Sequence, residues 1–427
     1  MQHPEERRRS WRRLVPAAVA GLLLAACAPN SPLLGQQSQP SPGGPLKIGF
    51  ISPATGTVAA AGKDMRDGWN LYWDQRGGKA AGREVDTIFE DDAGDPDTGL
   101  SKAKLLVDGE KVSMVVGPLL ANVGYVVADY VSKQGLPSIQ AVAAADDLTQ
   151  RRANPLVLRL GAFTSSQMNF PAGKWAYDQG YRTAVTICPD YAFGHESCGG
   201  FVRTYSQAGG RVVAQLWNPL GTPDFSSYVS QIRDLNPSVL FVAETGADAP
   251  RFVSTFTDFG LRAKIPLIAN ATLTEQAVLR SMGPAAEGLR SFGYFAEGRS
   301  SAATEKFVAD YLAKYGQLPS LYSAGSYVSA EWIAKALERR GGDAANARAL
   351  ADALRAIKFD DTALGPLKLD DHNQIVGNAY LRTVRARPDG KLWNTVDQTI
   401  PNVSQFWTYD PKQYLSQPVY TRDYQGR

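Results

Sequence analysis

Residues 47–78 read KIGFISPATGTVAAAGKDMRDGWNLYWDQRGG. The apolar run Ile48-Gly49-Phe50-Ile51 has the character of a strand buried on both faces of a parallel sheet. A turn of Gly, Pro and small residues follows, from Ser52 to Gly62. Then Met65, Trp69 and Tyr72 recur at helical spacing until Gly77-Gly78 stops the pattern. Strand, small-residue loop and helix in that order open a doubly wound α/β domain. Such a loop lies at the carboxyl edge of the sheet, where these folds bind ligands.

The same alternation continues downstream. Strands are expected at Val85–Glu90, Val112–Gly117 and Pro137–Gln140, with helices over about Asp97–Gly109 and Asn122–Gly135. A second run has strands at Thr183–Cys188, Val212–Trp217, Val239–Ala243 and Pro266–Ala269. Its helices are expected near Gly194–Ala208, Phe225–Leu235 and Ala249–Phe259. Alternation of this kind means parallel sheets with right-handed crossovers. Two runs, divided near residue 163, mean two similar α/β lobes. After Phe292 the pattern turns helical, over Thr304–Tyr315, Ser323–Gly341 and Ala345–Ile357. Strands are then expected at Lys368–Asp370, Ala379–Val384 and Val403–Tyr409. These late pieces must return to one lobe and cross to the other.

The chain has 427 residues, 45 Lys+Arg, 42 Asp+Glu and a formal net charge of +3. That charge sits in the first 26 residues. Arg7, Arg8, Arg9, Arg12 and Arg13 form a basic head before the apolar stretch Leu14–Ala26, which is too short to span a bilayer and reads as a signal peptide. Removing residues 1–26 leaves 40 basic against 40 acidic residues, so charge gives no reason to expect a nucleic-acid partner. The stretch ends Leu24-Ala25-Ala26-Cys27 and resembles a bacterial lipobox. The resemblance implies cleavage before Cys27 and lipidation of that residue, and so a protein anchored on the periplasmic side of a bacterial membrane. Residues 28–44, APNSPLLGQQSQPSPGG, cannot form a core. With Cys27 they read as a tether, and the seventeen residues 28–44 reach roughly 50 Å at about 3.1 Å each. Cys188 and Cys198 remain, and an exporting compartment favours a bridge between them over two separate buried thiols.

Three stretches then point one way: residues 47–72, EDDAGDPDTGLSKAKLLVDGEKVSMVVGP at 90–118, and LPSIQAVAAADDLT at 136–149. With Tyr191-Ala192-Phe193-Gly194 they resemble the leucine/isoleucine/valine-binding family of type I periplasmic binding proteins, the solute-binding subunits of branched-chain amino acid ABC transporters. The resemblance covers about Lys47–Val384. It implies two Rossmann-like α/β lobes joined by a hinge that the chain crosses three times, and a cleft that closes on one small solute. It also implies a membrane permease as partner, a monomer, and neither a cofactor nor a reaction. The lobes are expected at 45–162 with 295–370, and at 163–294 with 371–427.

The family holds its ligand through polar groups at set places, and this sequence departs from most of them. The Ser that receives the ligand carboxylate is here Ala121, followed by Asn122. The small/Thr pair is Ala143-Ala144, which leaves main-chain N–H groups to meet an anion. The ring before the turn glycine is Phe193, without a phenol oxygen, and Tyr191 stands beside it. The acid that faces the ligand ammonium gives way to Asn270-Ala271-Thr272, while Tyr322 retains the late tyrosine. Thr245 adds a hydroxyl, and Asp248 or Glu244 could supply an acid from the other side. A buried ammonium needs a paired charge. A free α-amino acid therefore suits this set poorly, and an aromatic or aliphatic carboxylic acid or an amide suits it better.

Other readings fall away. GTVAAAGK at 56–63 is a poor phosphate loop, because its spacing is one residue too long and Asp64 stands where Ser or Thr must bind magnesium. His195 and His372 lack ligand spacing, so no metal site is indicated. The acidic run Glu90–Asp97 reads as a solvated turn with a helix cap rather than a calcium loop. No GxSxG elbow occurs. An extracytoplasmic solute-binding protein of an importer is thus the leading reading. A ligand-sensing receptor subunit and an exported enzyme on the same scaffold are the alternatives.

Overall fold

The computed structural model describes residues 44–426; the expected signal peptide, Cys27 and nearly all of the expected tether lie outside them. The first half contains strands β1 (Leu46–Ile51), β2 (Lys79–Ala80), β3 (Arg83–Glu90), β4 (Met114–Val116), β5 (Ser138–Gln140) and β6 (Val157–Arg159). Helices α1 (Ala59–Gln75), α2 (Pro96–Lys104) and α3 (Ala121–Lys133) connect them. The second half contains α4 (Phe170–Asp178), β7 (Thr183–Pro189), α5 (Ala192–Gln207), β8 (Arg211–Asn218), α6 (Ser226–Leu235) and β9 (Val239–Val242). It continues with α7 (Asp248–Asp258), β10 (Leu267–Asn270), α8 (Gln276–Met282) and β11 (Arg290–Gly293). Helices α9 (Ala302–Tyr315), α10 (Leu321–Arg339) and α11 (Ala347–Arg355) follow. The chain ends with β12 (Lys358–Phe359), β13 (Leu367–Leu369), β14 (Ile375–Ala386), β15 (Leu392–Val403) and α12 (Pro411–Leu415).

These strands form two sheets. One runs β2-β3-β1-β4-β5-β6, parallel except for β2. The other runs β12-β13-β14-β11-β10-β9-β7-β8, with β15 paired on β14. Its strands β8-β7-β9-β10-β11 are parallel, and the β14–β15 hairpin closes the far edge antiparallel. Two Rossmann-like lobes result.

The first lobe forms around β1. Four consecutive residues, Ile48–Ile51, are shielded or flanked on both faces, and the Phe50 ring lies 5.2 Å from that of Trp69 on α1. Trp69 is buried and its Nε1 donates to Thr87 Oγ1 at 3.0 Å, tying α1 to β3. Helix α10 lies across α1 so closely that a Cβ at Gly68 would stand 2.0 Å from the Ser323 carbonyl oxygen. Only glycine allows that approach. Gly77 and Gly78, both at positive φ, end α1.

Between β6 and α4 the chain passes from one sheet to the other; it returns after β11 to build α9–α11, and passes a third time into β14. Gln374 stitches the first and third passages, donating to the Ala162 carbonyl at 2.9 Å and to Gln167 at 3.0 Å. Strands β12 and β13 divide their allegiance. Their backbone pairs onto the second sheet through β14, while Phe359 and Leu367 pack in the first lobe's apolar cluster.

One strand expectation is corrected. β15 ends at Val403, and residues 404–409 turn instead of extending. The aromatic run misled the reading: Trp407 sits at φ 53°, outside strand geometry. Phe406 and Tyr409 pack with Phe170 and Tyr414 over α4 and α12. The β14–β15 hairpin is also longer than the single strand expected over Ala379–Val384.

Candidate ligand-binding cleft

Loops at the carboxyl ends of the parallel strands of both lobes face one another across a small void of about 30 Å³. That is room for only one or two waters, so a larger solute must displace the lining or part the lobes. From the first lobe come Leu119, Leu120 and Ala121 at the start of α3, Val142 and Ala144 after β5, and Leu321 and Tyr322 at the start of α10. Opposite stand Tyr191 and Phe193 after β7, Thr245 after β9 and Thr272 after β10. Met168 and Tyr294, on two of the inter-lobe passages, complete the lining.

The chemistry of this lining is narrow. Rings dominate it: those of Tyr191 and Phe193 lie 5.9 Å apart, and Tyr294 packs 5.3 Å from Phe163. Burial pushes the phenols of Tyr191, Tyr294 and Tyr322 far above their ordinary value, so all three are neutral donors. Tyr322 Oη lies 3.3 Å from Thr245 Oγ1 and so spans the lobes. Thr272 is fixed, with its N–H on Asn270 Oδ1 at 2.9 Å and its hydroxyl on the Glu244 carbonyl at 2.8 Å. On the opposite wall, α3 begins at Leu120 without a side-chain cap, so its leading N–H groups face the cleft region uncapped. The Ala144 N–H also has no hydrogen-bond partner among the described residues.

No carboxylate among the described residues lines the cleft. Glu244 is buried behind the wall, with Asn218 Nδ2 on one carboxyl oxygen at 3.2 Å. Burial raises it to about 8, so it is largely neutral at pH 7. Asp248 does not reach the cleft either: its oxygens accept the Gly221 N–H at 2.6 Å and meet Arg251 at 3.1 Å. Glu275 caps α8 through the Ala277 N–H at 2.9 Å, and burial raises it well above the carboxylate range.

Of the expected site residues, Ala121, Ala144, Tyr191, Phe193, Thr245, Thr272 and Tyr322 are brought together around one void. Asn122, Ala143 and Asp248 are not part of its lining. Ala143 turns its methyl toward Gly124, where an added Cβ would lie at 3.2 Å, and its carbonyl takes a hydrogen bond from Arg159. Asn122 sits one step further along α3, with its Oδ1 buried and without a partner. Asp248 is committed to its own lobe, as above. Leu119, Leu120, Val142, Met168, Leu321 and Tyr294 were missed. Four of these flank residues that were chosen; Tyr294 and Met168 come from passages with no local signal.

Further contacts hold the lobes together beyond the void. Tyr125 on α3 lies 3.0 Å from Glu196 Oε1 on α5, and Arg280 on α8 pairs with the buried Asp64 on α1. The Ala247 N–H reaches the Thr57 carbonyl at 3.4 Å. The structure is therefore a closed form. The buried disulfide Cys188–Cys198 spans the loop that carries Tyr191 and Phe193.

A cleft of this kind between two doubly wound lobes agrees with sequence comparison. A family profile described as periplasmic binding protein matches residues 45–391. The chain belongs to the periplasmic binding proteins. A Leu/Ile/Val-binding protein homologue of Brucella melitensis is 28% identical over 360 residues, covering 83% of this chain and 91% of that one. An ABC transporter substrate-binding protein from Sphaerobacter thermophilus is 31% identical with a TM-score of 0.79, covering 84% of this chain and 99% of that one. A solute-binding protein of an ABC transporter from Rhodopseudomonas palustris BisB5, solved in complex with 3,4-dihydroxybenzoic acid, is 29% identical with a TM-score of 0.80. That match covers 84% of this chain and 98% of the other. This periplasmic binding protein is thus a solute-binding component of the ABC transporter type. Among its described residues no helix is long and apolar enough to cross a membrane.

Proposed function

We propose that this periplasmic binding protein captures an aromatic monocarboxylate outside the cytoplasmic membrane and delivers it to the permease of an importer. The observation that carries the reading is a cleft lined by rings and unpartnered main-chain donors, with no ionised acid on its walls. The leading N–H groups of α3, with the Ala144 N–H, form a cradle for a carboxylate. Tyr191, Phe193, Tyr294 and Tyr322 supply flat apolar contact for a ring, and the three tyrosine phenols suit ring hydroxyls. An α-ammonium would find Thr272 where an acid is needed, and its burial unpaired would cost several kcal/mol. The ligand named for the Rhodopseudomonas palustris relative, 3,4-dihydroxybenzoic acid, fits this donor set.

The further details of the reading are lipidation of Cys27, a tether over 27–44, a monomeric state, and lobes over 45–162 with 295–370 and 163–294 with 371–427. Occupancy would favour the closed form and so the docking-competent one.

The test is a thermal-shift screen of residues 28–427 against benzoates, aliphatic acids, amides and the branched-chain amino acids, followed by calorimetry. A ligand at a hundred times its Kd adds about 2.7 kcal/mol to stability. The benzoates are expected to give the largest shifts. Leucine, isoleucine or valine giving the largest shift would overturn the ligand class.

A further inference from the structure

Behind the first-lobe wall lies a cation with no ionic partner. Arg159, at the end of β6, is 0% exposed. Its Nε donates to the Ala143 carbonyl at 2.7 Å, and its terminal nitrogens donate to the Ala145 carbonyl, Thr149 Oγ1 at 2.9 Å and Gln374 Oε1. No carboxylate lies within ion-pair distance of it among the described residues. The acidic groups around it are Asp146 and Glu196, with the phenols of Tyr125 and Tyr294. Asp146 turns one oxygen to the Ser166 N–H at 3.0 Å, and Glu196 turns one to Tyr125. Buried charges are ordinarily paired, because removing one from water is costly.

Its position relative to the cleft is what matters. The carbonyls it holds flank Ala144, which lines the void. The Ala143–Ala144 peptide is trans, so with its carbonyl on the guanidinium its N–H points the opposite way. That N–H is the one without a partner. Arg382 in the second lobe gives the contrast. It is equally buried and donates to the Ala271 carbonyl at 3.1 Å, but the N–H of the following Thr272 is already held by Asn270. One buried arginine thus backs an open donor, and the other backs a closed one.

We infer that Arg159 is a specificity-determining positioning residue: acting through the Ala143–Ala144 peptide, it supplies the positive charge that makes the cleft choose a monoanion over its neutral isostere. This rests on the carboxylate reading above and extends it from a shape and donor argument to a charge argument. One peptide separates the guanidinium from the bound anion, a distance of roughly 8 Å. At an effective dielectric of about 20 the attraction amounts to a preference of about 30-fold, or about 2 kcal/mol.

The experiment measures Kd by calorimetry for two acid/amide pairs, benzoate with benzamide and isovalerate with isovaleramide, on the wild type, Arg159→Met and Arg159→Lys. In the wild type the tighter-binding acid should exceed its amide by about 30-fold. Arg159→Met should bring that ratio to within about threefold of unity, and Arg159→Lys should keep most of it. Equal weakening of acid and amide in Arg159→Met would mean a structural role only and would overturn the inference. If Arg159→Met does not fold, as judged by circular dichroism, the lysine variant decides, because loss of the ratio with the charge retained is equally fatal. An amide that matches its acid in the wild type sinks the inference and leaves solute capture standing. If no member of either pair binds, the proposed ligand class falls and takes the inference with it.

Discussion

Closure of this cleft should take up a proton. Glu196 on α5 and Asp146 after β5 come from opposite lobes and are both buried. Each keeps one carboxyl oxygen, Oε2 and Oδ2, buried without a hydrogen-bond partner. Burial, only partly offset by its bonds to Ser166, raises Asp146 from 3.8 to about 6. Burial raises Glu196 well above its ordinary value, and the neighbouring Asp146 raises it further. Arg159, Tyr125 and Asp147, itself paired with Arg151, are the other groups nearby. Moving a carboxyl from 3.8 to about 6 corresponds to on the order of 3 kcal/mol against its charged form. Glu196 bears burial and a like charge together. The sign follows from proton counting. The closed form binds more protons than an open form in which water reaches these groups, so closure weakens as pH rises. Nothing is lost below the ordinary carboxylate range, where both forms are protonated. Asp146 gives the effect between the ordinary carboxylate range and about pH 6, and Glu196 extends it upward. Ligand affinity should fall as pH rises through this window, by up to about tenfold per pH unit for each proton lost. Glu244, raised to about 8 by burial, is hydrogen-bonded to Asn218 within its own lobe. In Glu196→Gln the slope should be shallower, because one of the two raised carboxyls is gone, and binding above pH 6 should be tighter than in the wild type. The assay is calorimetry with 3,4-dihydroxybenzoate in buffers of different ionisation enthalpy, which counts protons directly. A wild type that takes up none, or a variant that keeps the wild-type slope, would refute the reasoning.

Three other perturbations test separate parts of the structure. Replacing both Cys188 and Cys198 by Ala releases the loop carrying Tyr191 and Phe193; it should cost about 2–3 kcal/mol in denaturant unfolding and weaken ligand binding as well. Unchanged affinity would separate the bridge from the site. Gly68→Ala would gain about 1 kcal/mol of helix propensity, but it drives a methyl to 2.0 Å from the Ser323 backbone, so a net loss of stability is expected from thermal melts. Asp248→Asn should lower the melting temperature through its bonds to Gly221 and Arg251 while leaving ligand Kd within about twofold. A tenfold loss of affinity in that variant would return Asp248 to the cleft.

Much of the fold was legible because the strands of a parallel sheet are apolar on both faces and the helices between them carry a clear stripe. Ile48–Ile51, Val239–Val242 and the Met65/Trp69/Tyr72 face are cases. Short strands at a lobe's edge carry too little pattern to find: β6 has three residues and β11 four. The β14–β15 hairpin escaped because its outer strand is half polar and only partly buried, so alternation was weak. Val403–Tyr409 failed for the opposite reason, since its aromatic residues pack as a turn over α4.

The site was legible where side chains form it and opaque where backbone does. Tyr191, Phe193, Thr245, Thr272 and Tyr322 could be chosen by type and place, and all five line the void. Replacement of hydroxyl residues by Ala121 and Ala144 showed only that polar side chains had been given up. It could not show that the charge had moved behind the wall. Arg159 lies in a three-residue strand and looks, as sequence, like any surface arginine at a strand end. Its place under the Ala143–Ala145 carbonyls depends on Gln374, more than two hundred residues later, returning through the hinge to share its guanidinium. Here the passage that lets the lobes move and the passage that charges the wall are one segment. A substitution such as Gln374→Leu should therefore disturb closure and anion preference together, even though Gln374 does not line the cleft.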